Sequence, residues 1–307
     1  MAGQHSPWFA VPDPTLGADH ADTARSPQPP SATNHESGPT ASSEHWFDAY
    51  LFDLDGTIHL GDRLLPGAVE TVARIRDRGI PVRFLSNNPT HSPATIHQRL
   101  HHLGLDLRLD EVVNTVLTTT RWLRENRPEA VVFPIAEQPV IEALRAAGQP
   151  LSDDPASIDI VLASYDRSFD YRKLQTAFDA LWFHRRATLM STNPDRFCPY
   201  PGGRGEPDAA SIVAAIEACT QTTCERTFGK PSPLMLDLAL HGTGVPASAA
   251  VMVGDRLATD IAMARAAGMT GVLVLTGDAG LPEVNTAPEA ERPHRVIRAL
   301  AELLPTA

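Results

Sequence analysis

The sequence predicts an α/β protein: a doubly wound parallel sheet with a second α/β unit inserted into it. Three observations carry this reading. The chain has 307 residues, room for about two domains at roughly 150 residues each. From Trp46 onward, short apolar runs alternate with amphipathic stretches, as in a parallel sheet wound with helices. Between residues 129 and 188 that alternation restarts as a compact unit of its own.

Taken in order, Tyr50-Leu51-Phe52 reads as a short buried strand. Pro66 opens a helix with Val69, Val72 and Ile75 on one side, and Gly79 ends it. Val82 to Leu85 is the second strand, and a helix over 93–103 closes at Gly104. Val112 to Val116 reads as a third strand and Thr119 to Asn126 as the following helix. In the inserted unit, Val131 to Phe133 and Ile158 to Ala163 read as strands. Pro139 to Ala147 and Tyr171 to Phe183 read as helices, the latter with Leu174, Phe178 and Leu181 on one face. Main-core texture is then expected to resume with Leu189-Met190, a helix over 208–218, Thr227-Phe228 and a helix over Leu234 to Leu240. The strand Ala250 to Val253, a helix with Leu257, Ile261 and Ala264, and the strand Val272 to Leu275 complete it. The expected division is therefore 46–128 with 189–307 as a discontinuous core, and 129–188 as the insert.

Residues 1–45 are rich in Pro, Ser, Thr, Ala, Asp and His and show no period of 2 or 3.6, so they are expected to form a disordered N-terminal tail. Trp8 to Val11 is stopped at once by Pro12 and Asp13, which is not the pattern of a signal peptide. No apolar run approaches the roughly 18–20 residues of a membrane helix. Twenty-six basic against 37 acidic side chains leave a net charge of −11, which argues against nucleic-acid and membrane partners. An anionic substrate would then need local positive charge or a metal. The three cysteines, Cys198, Cys219 and Cys224, supply neither a disulfide framework nor zinc-finger spacing, so a reducing cytoplasm is the expected location. A homo-oligomer is compatible with all of this.

Four motifs follow predicted strands, and the C-terminal edge of a parallel sheet is where ligands bind. Asp53-Leu54-Asp55-Gly56-Thr57 sets two carboxylates at i and i+2 as the chain leaves a strand. One can serve as nucleophile toward phosphorus, the other as general acid to the leaving oxygen and then general base for water. Ser86-Asn87-Asn88 offers neutral donors to phosphoryl oxygens. Gly229-Lys230-Pro231 holds a point charge at a helix entrance. Gly254-Asp255-Arg256 with Thr259-Asp260 brings hard oxygen ligands that suit Mg²⁺. Each motif alone also reads as ordinary turn or cap chemistry; their joint occurrence in this order is the specific signal.

The ensemble resembles the haloacid dehalogenase superfamily. With Pro66-Gly67-Ala68 and Thr192-Asn193-Pro194-Asp195 included, it is similar to the NagD-like branch (subclass IIA) that contains p-nitrophenyl phosphatases, phosphoglycolate phosphatases and pyridoxal phosphatases, over about residues 48–280. The resemblance implies a Mg²⁺-dependent phosphatase of small, sugar-phosphate-like monoesters, working through an aspartyl phosphate. It implies Asp53 as nucleophile, Asp55 as general acid/base, and Mg²⁺ held by Asp53, the Asp55 carbonyl and Asp255. Ser86 and Asn87 would bind the phosphoryl group, Lys230 would bridge it to Asp53, and Asp260 would orient Lys230 or metal-bound water. The inserted unit matches the family's cap. The loop Ser164-Tyr165-Asp166-Arg167 after a cap strand would lie over the mouth, with Asp166 contacting the organic half of the substrate.

Two positions depart from the family pattern. His59 stands where many relatives have Tyr. Gly203-Arg204-Gly205-Glu206-Pro207-Asp208 stands where many have Pro-Gly-x-Gly. The competing reading is a non-catalytic phosphate-binding regulator that keeps the fold. Retention of Asp53, Asp55, Lys230, Asp255 and Asp260 favours an enzyme. Asp55 argues against a dehalogenase, which needs no second acid. The short spacing from Asp53 to Ser86 leaves no room for the helical cap of a phosphomutase.

Overall fold

A computed structural model of the chain describes residues 45–200 and 204–305; the expected N-terminal tail lies almost wholly outside the described residues. In chain order the strands are β1 (Ala49–Asp53), β2 (His59–Leu60), β3 (Arg63–Leu64), β4 (Val82–Ser86), β5 (Val112–Asn114), β6 (Val132–Ile135) and β7 (Ile160–Ala163). They continue with β8 (Thr188–Ser191), β9 (Phe197–Tyr200), β10 (Arg204–Pro207), β11 (Arg226–Thr227), β12 (Ala250–Gly254), β13 (Thr270–Val274) and β14 (Arg295–Ile297). The helices are α1 (Ala68–Arg76), α2 (Pro93–His102), α3 (Thr115–Asn126), α4 (Gln138–Ala146), α5 (Tyr171–Phe178), α6 (Ala209–Thr220), α7 (Pro233–Leu240), α8 (Ala262–Ala266) and α9 (Leu281–Thr286).

The main sheet has the order β14-β13-β12-β1-β4-β5, and every pair in it is parallel. Alternation along β1 divides its burial: Tyr50 and Phe52 pack with Val72, Ile75 and Leu100 on one face, Ala49 and Leu51 with Met235, Leu236 and Met263 on the other. Both faces are therefore covered, which is what a doubly wound sheet requires. Strand order reverses between β1 and β12, and the ends of these two strands carry Asp53 and, one residue on, Asp255. The crevice at such a reversal is the expected ligand site.

A second parallel sheet has the order β11-β8-β7-β6, with Val161 and Ala163 packed toward α5 and α6 and Ile160 and Leu162 toward α3 and α4. Leu189-Met190 and Thr227 thus pair in this sheet rather than returning to the main one. Short apolar strands look alike in either sheet, and only register separates them. The third strand ends two residues earlier than its apolar run suggests. The Asn114 side chain accepts from the Leu117 main-chain N–H at 3.0 Å and starts α3 at Thr115, a cap that outweighs the β preference of Thr115 and Val116. On α1 the buried set is Ala68, Thr71, Val72 and Ile75, while Val69 is exposed. The antiparallel hairpin β9–β10 and the edge strand β14 are additions to the sequence reading. No described helix is long and apolar enough to cross a membrane.

Candidate active site

Asp53 is the last residue of β1 and is buried, with Asp55 beyond it and exposed. Between the two acids and the next core turns the chain must bend sharply. Gly56 does this at φ 86°, and a Cβ there would stand 2.4 Å from Asp255 Oδ2. Lys230, 2% exposed, donates from Nζ to Asp53 Oδ1 and, at 2.7 Å, to Asp260 Oδ1. Asp260 uses its other oxygen to accept from the Arg256 main-chain N–H at 3.1 Å. Asp255 accepts from the Asp278 N–H at 2.7 Å through Oδ2. The four motifs therefore meet in one place, although Lys230 arrives on the loop after β11, an edge strand of the second sheet.

Asn87 does something the sequence does not announce. Its side-chain amide pairs in both directions with the backbone of Lys230, accepting from the N–H at 2.7 Å and donating to the carbonyl at 3.0 Å. Gly229 makes this approach possible, because a Cβ there would lie 2.6 Å from Asn87 Oδ1. The Asn87 side chain thus places Lys230 while lining the cleft beside Ser86. Ser86, buried, accepts from the Asn88 N–H at 3.1 Å and lines the cleft.

Asp53, Asp255 and Asp260 each offer a carboxylate oxygen within 4.8 Å of the others. Among the described residues Asp53 Oδ2 and Asp255 Oδ1 are enclosed and have no hydrogen-bond partner, whereas both oxygens of Asp260 are engaged. Two orphaned hard oxygens side by side fit a divalent cation such as Mg²⁺. Burial, with Asp260 and Asp255 adding to it, holds the Asp53 carboxyl well above the usual range despite Lys230. Burial would lower the Lys230 pKa, but Asp260 and Asp53 more than reverse this and keep it charged.

Burial and then the Asp260 charge push the Asp255 carboxyl up to about 7. An acid whose pKa rises on folding keeps its proton in the native state between its ordinary 3.8 and about 7, while the unfolded chain has lost it. That stabilisation is complete below the lower value and disappears as pH rises through the higher one. Metal-free protein should therefore lose more thermal stability between pH 5 and pH 8 than metal-free Asp255→Asn. Parallel Tm-against-pH curves for the two proteins would contradict this.

The cleft over these groups has a volume of about 440 Å³ and is walled on the second-sheet side by Tyr165, Arg167, Phe197, Cys198 and Tyr200. Asp166 is not among its walls. Its fully enclosed carboxylate accepts from Ser168 N–H at 2.9 Å and Lys173 Nζ at 2.5 Å, locking the loop ahead of α5. Tyr165 and Arg167 line the cleft in its place. Arg167 pairs with Glu137 at 2.8 Å and Glu206 at 2.7 Å, and Glu206 also accepts from Tyr165 and, at 2.9 Å, Tyr200. These donors hold Glu206 down to about 2. His59 packs beneath the floor, its Nε2 3.7 Å from Asp55 Oδ1, and burial lowers its pKa. Arg256 reaches across to Asp195 at 3.0 Å, tying the β8 exit loop to the β12 exit loop. Asp195 and Arg256 stand inside the quoted motifs, yet no spacing rule pairs residues 61 positions apart.

Comparison with known proteins agrees with this geometry. Residues 50–149 match the family model of haloacid dehalogenase-like hydrolases, and residues 227–303 match a second, HAD-hydrolase-like model. The chain is 33% identical over 229 residues to the sugar-phosphatase AraL of Bacillus subtilis, covering 75% of this chain and 83% of that protein. The 4-nitrophenylphosphatase of Thermotoga maritima superposes with a TM-score of 0.77 at 30% identity, covering 83% of this chain and 95% of that one. The glycerol phosphate phosphatase Rv1692 of Mycobacterium tuberculosis, solved with magnesium, gives 0.74 at 28% identity, covering 84% of this chain and 77% of that one. The chain belongs to the haloacid dehalogenase-like hydrolases, on the branch that carries the p-nitrophenyl phosphatases. Within that family it is a phosphatase-type member, a phosphoric monoester hydrolase.

Proposed function

We propose that the protein is a Mg²⁺-dependent phosphatase of small, sugar-phosphate-like monoesters that works through an aspartyl phosphate on Asp53. The observation that carries this is the pair of orphaned oxygens, Asp53 Oδ2 and Asp255 Oδ1, beside a lysine already clamped on Asp53. Mg²⁺ would be held by Asp53, Asp255 and the main-chain carbonyl of Asp55, where it supplies positive charge against the phosphoryl oxygens. Asp53 attacks phosphorus, the bond from phosphorus to the alcohol oxygen breaks, and Asp55 donates its proton to that oxygen. Water then attacks the acyl phosphate, Asp55 takes the proton, and Asp53 is released with inorganic phosphate. The exposure of Asp55 suits this exchange with alcohol and water, whereas Lys230 offsets part of the burial that disfavours the charge of Asp53. Ser86 takes a phosphoryl oxygen, and Asn87 contributes by placing Lys230. The unit built on the second sheet acts as the cap over the cleft. The free cysteines fit a reducing, cytoplasmic setting, and no nucleic acid or membrane is needed as partner.

Phosphate release from p-nitrophenyl phosphate should vanish in excess EDTA and return on adding Mg²⁺; full activity in the chelator would remove the metal from the reading. Asp55→Asn should retain the fold and lose roughly 10²- to 10⁴-fold in kcat, the usual range for general acid/base catalysis. The loss should be smallest for esters of the most acidic alcohols, because those leave without a proton. A loss independent of leaving-group pKa would assign Asp55 a different role.

A further inference from the structure

The chain departs from its family's Pro-Gly-x-Gly pattern at Asp208, and the structure shows what that acid does. Asp208 caps α6 and is 5% exposed, yet it lines the cleft. Its Oδ1 accepts from the Ala209 N–H at 2.5 Å and from Asn193 Nδ2 at 3.0 Å. Its Oδ2 has no partner among the described residues, and unlike Asp53 Oδ2 it is not sealed off. A carboxylate oxygen held rigidly by two bonds at its neighbour, and left open toward a substrate cleft, is an acceptor awaiting a donor. Burial pushes this carboxyl up to about 6, so it is chiefly ionised at neutral pH.

The remaining charges in the cleft restrict what the donor can belong to. Among the described residues lining it stand six carboxylates and four cations. Each cation is committed: Lys230 to Asp53 and Asp260, Arg256 to Asp195, Arg167 to Glu137 and Glu206, and Arg99 to Asp62 at 3.0 Å. The phosphoryl group has Lys230 and the metal site. A second anionic group on the alcohol half would meet Asp208 and find no free cation to compensate it.

Resting on the phosphatase reading above, we propose that Asp208 is a specificity-determining residue: its open Oδ2 accepts a hydroxyl of the leaving alcohol. The cleft thereby selects monoesters of neutral, polyhydroxylated alcohols over monoesters whose alcohol half carries a carboxylate.

The test compares wild type, Asp208→Asn and Asp208→Ser on three kinds of ester, with Mg²⁺ present. These are polyol and sugar monophosphates (glycerol 3-phosphate and hexose 6-phosphates), 2-phosphoglycolate, and p-nitrophenyl phosphate. Asn and Ser both retain a side-chain oxygen for the helix cap, so the α6 start is preserved, which melting curves verify. Wild type should prefer the hydroxylated esters to phosphoglycolate. In both variants kcat/KM for the best hydroxylated ester should fall about 10-fold or more, the scale of one lost hydrogen bond to a charged group. The rate on phosphoglycolate should rise, and p-nitrophenyl phosphate should change several-fold less than the hydroxylated ester. Equal changes on all three, or a wild type that hydrolyses p-nitrophenyl phosphate but favours phosphoglycolate, would overturn the assignment of Asp208 alone. A wild type that releases phosphate from none of them would instead remove the phosphatase reading on which it rests.

Discussion

Asp53→Asn protein should release phosphate from p-nitrophenyl phosphate at least about 10³-fold more slowly than wild type, the scale seen when a covalent nucleophile is removed. It should melt at the same temperature or higher. The two halves of this expectation have one cause. Asp53 is buried with Asp255 and Asp260 inside 4.8 Å, and that crowding disfavours its charge even with Lys230 present. An amide of the same shape relieves the repulsion, and Lys230 keeps Asp260 as its partner at 2.7 Å. The same amide cannot form an acyl phosphate, so the chemistry stops while the fold gains. Turnover near wild type from a folded Asp53→Asn protein would falsify the covalent mechanism.

Lys230→Met should fail in both respects. The ammonium is 2% exposed and lies between Asp53 and Asp260. Methionine fills much of the lysine stem's volume but leaves two enclosed carboxylates facing each other without a counter-charge. Removing one partner of a buried ionic cluster costs about 3–5 kcal/mol. The orphaned acids recover by taking up protons, so the stability deficit should shrink as pH falls toward 5. Activity should be lost at every pH. Arginine should not rescue it, since a planar fork does not fit a pocket shaped for one tetrahedral donor reaching two acids. Urea titrations at two pH values measure the deficit directly. A deficit under about 1 kcal/mol, or one unchanged by pH, would show that Lys230 is not the charge holding the acids together.

How much of this was legible beforehand varied with the range of the interaction involved. Tyr50-Leu51-Phe52 and Ala250 to Val253 are continuous apolar runs, and Val82 to Leu85 is interrupted only by the half-buried Arg83. A strand buried on both faces must be written that way, and all three appear as parallel neighbours in the main sheet. The Val112 to Val116 run misled because a single side chain, Asn114, capped a helix inside it. Leu189-Met190 and Thr227 read as main-core strands but pair in the second sheet, because two buried parallel sheets use the same vocabulary. The choice between them rests on register with Ile160–Ala163. From its place in a loop after a strand Asp166 reads as a cleft residue, but it is not among the residues lining the cleft. Its bonds to Ser168 and Lys173 hold it in the turn ahead of α5, while Tyr165 and Arg167 line the cleft.

The fold class and the inventory of acids and the lysine are written locally along the chain. Burial period sets the strands, and an acid or lysine placed directly after a strand is carried to the sheet edge wherever the strands pair. The tertiary structure alone decided how those groups are used. It made Asn87 a clamp on the backbone of Lys230, 143 residues away. It joined Arg256 to Asp195, left one oxygen each on Asp53 and Asp255 without a partner, and opened Oδ2 of Asp208 to the cleft. Each of these depends on which atom of a side chain is already satisfied, and satisfaction is a property of neighbours brought together by packing, which no spacing along the chain encodes.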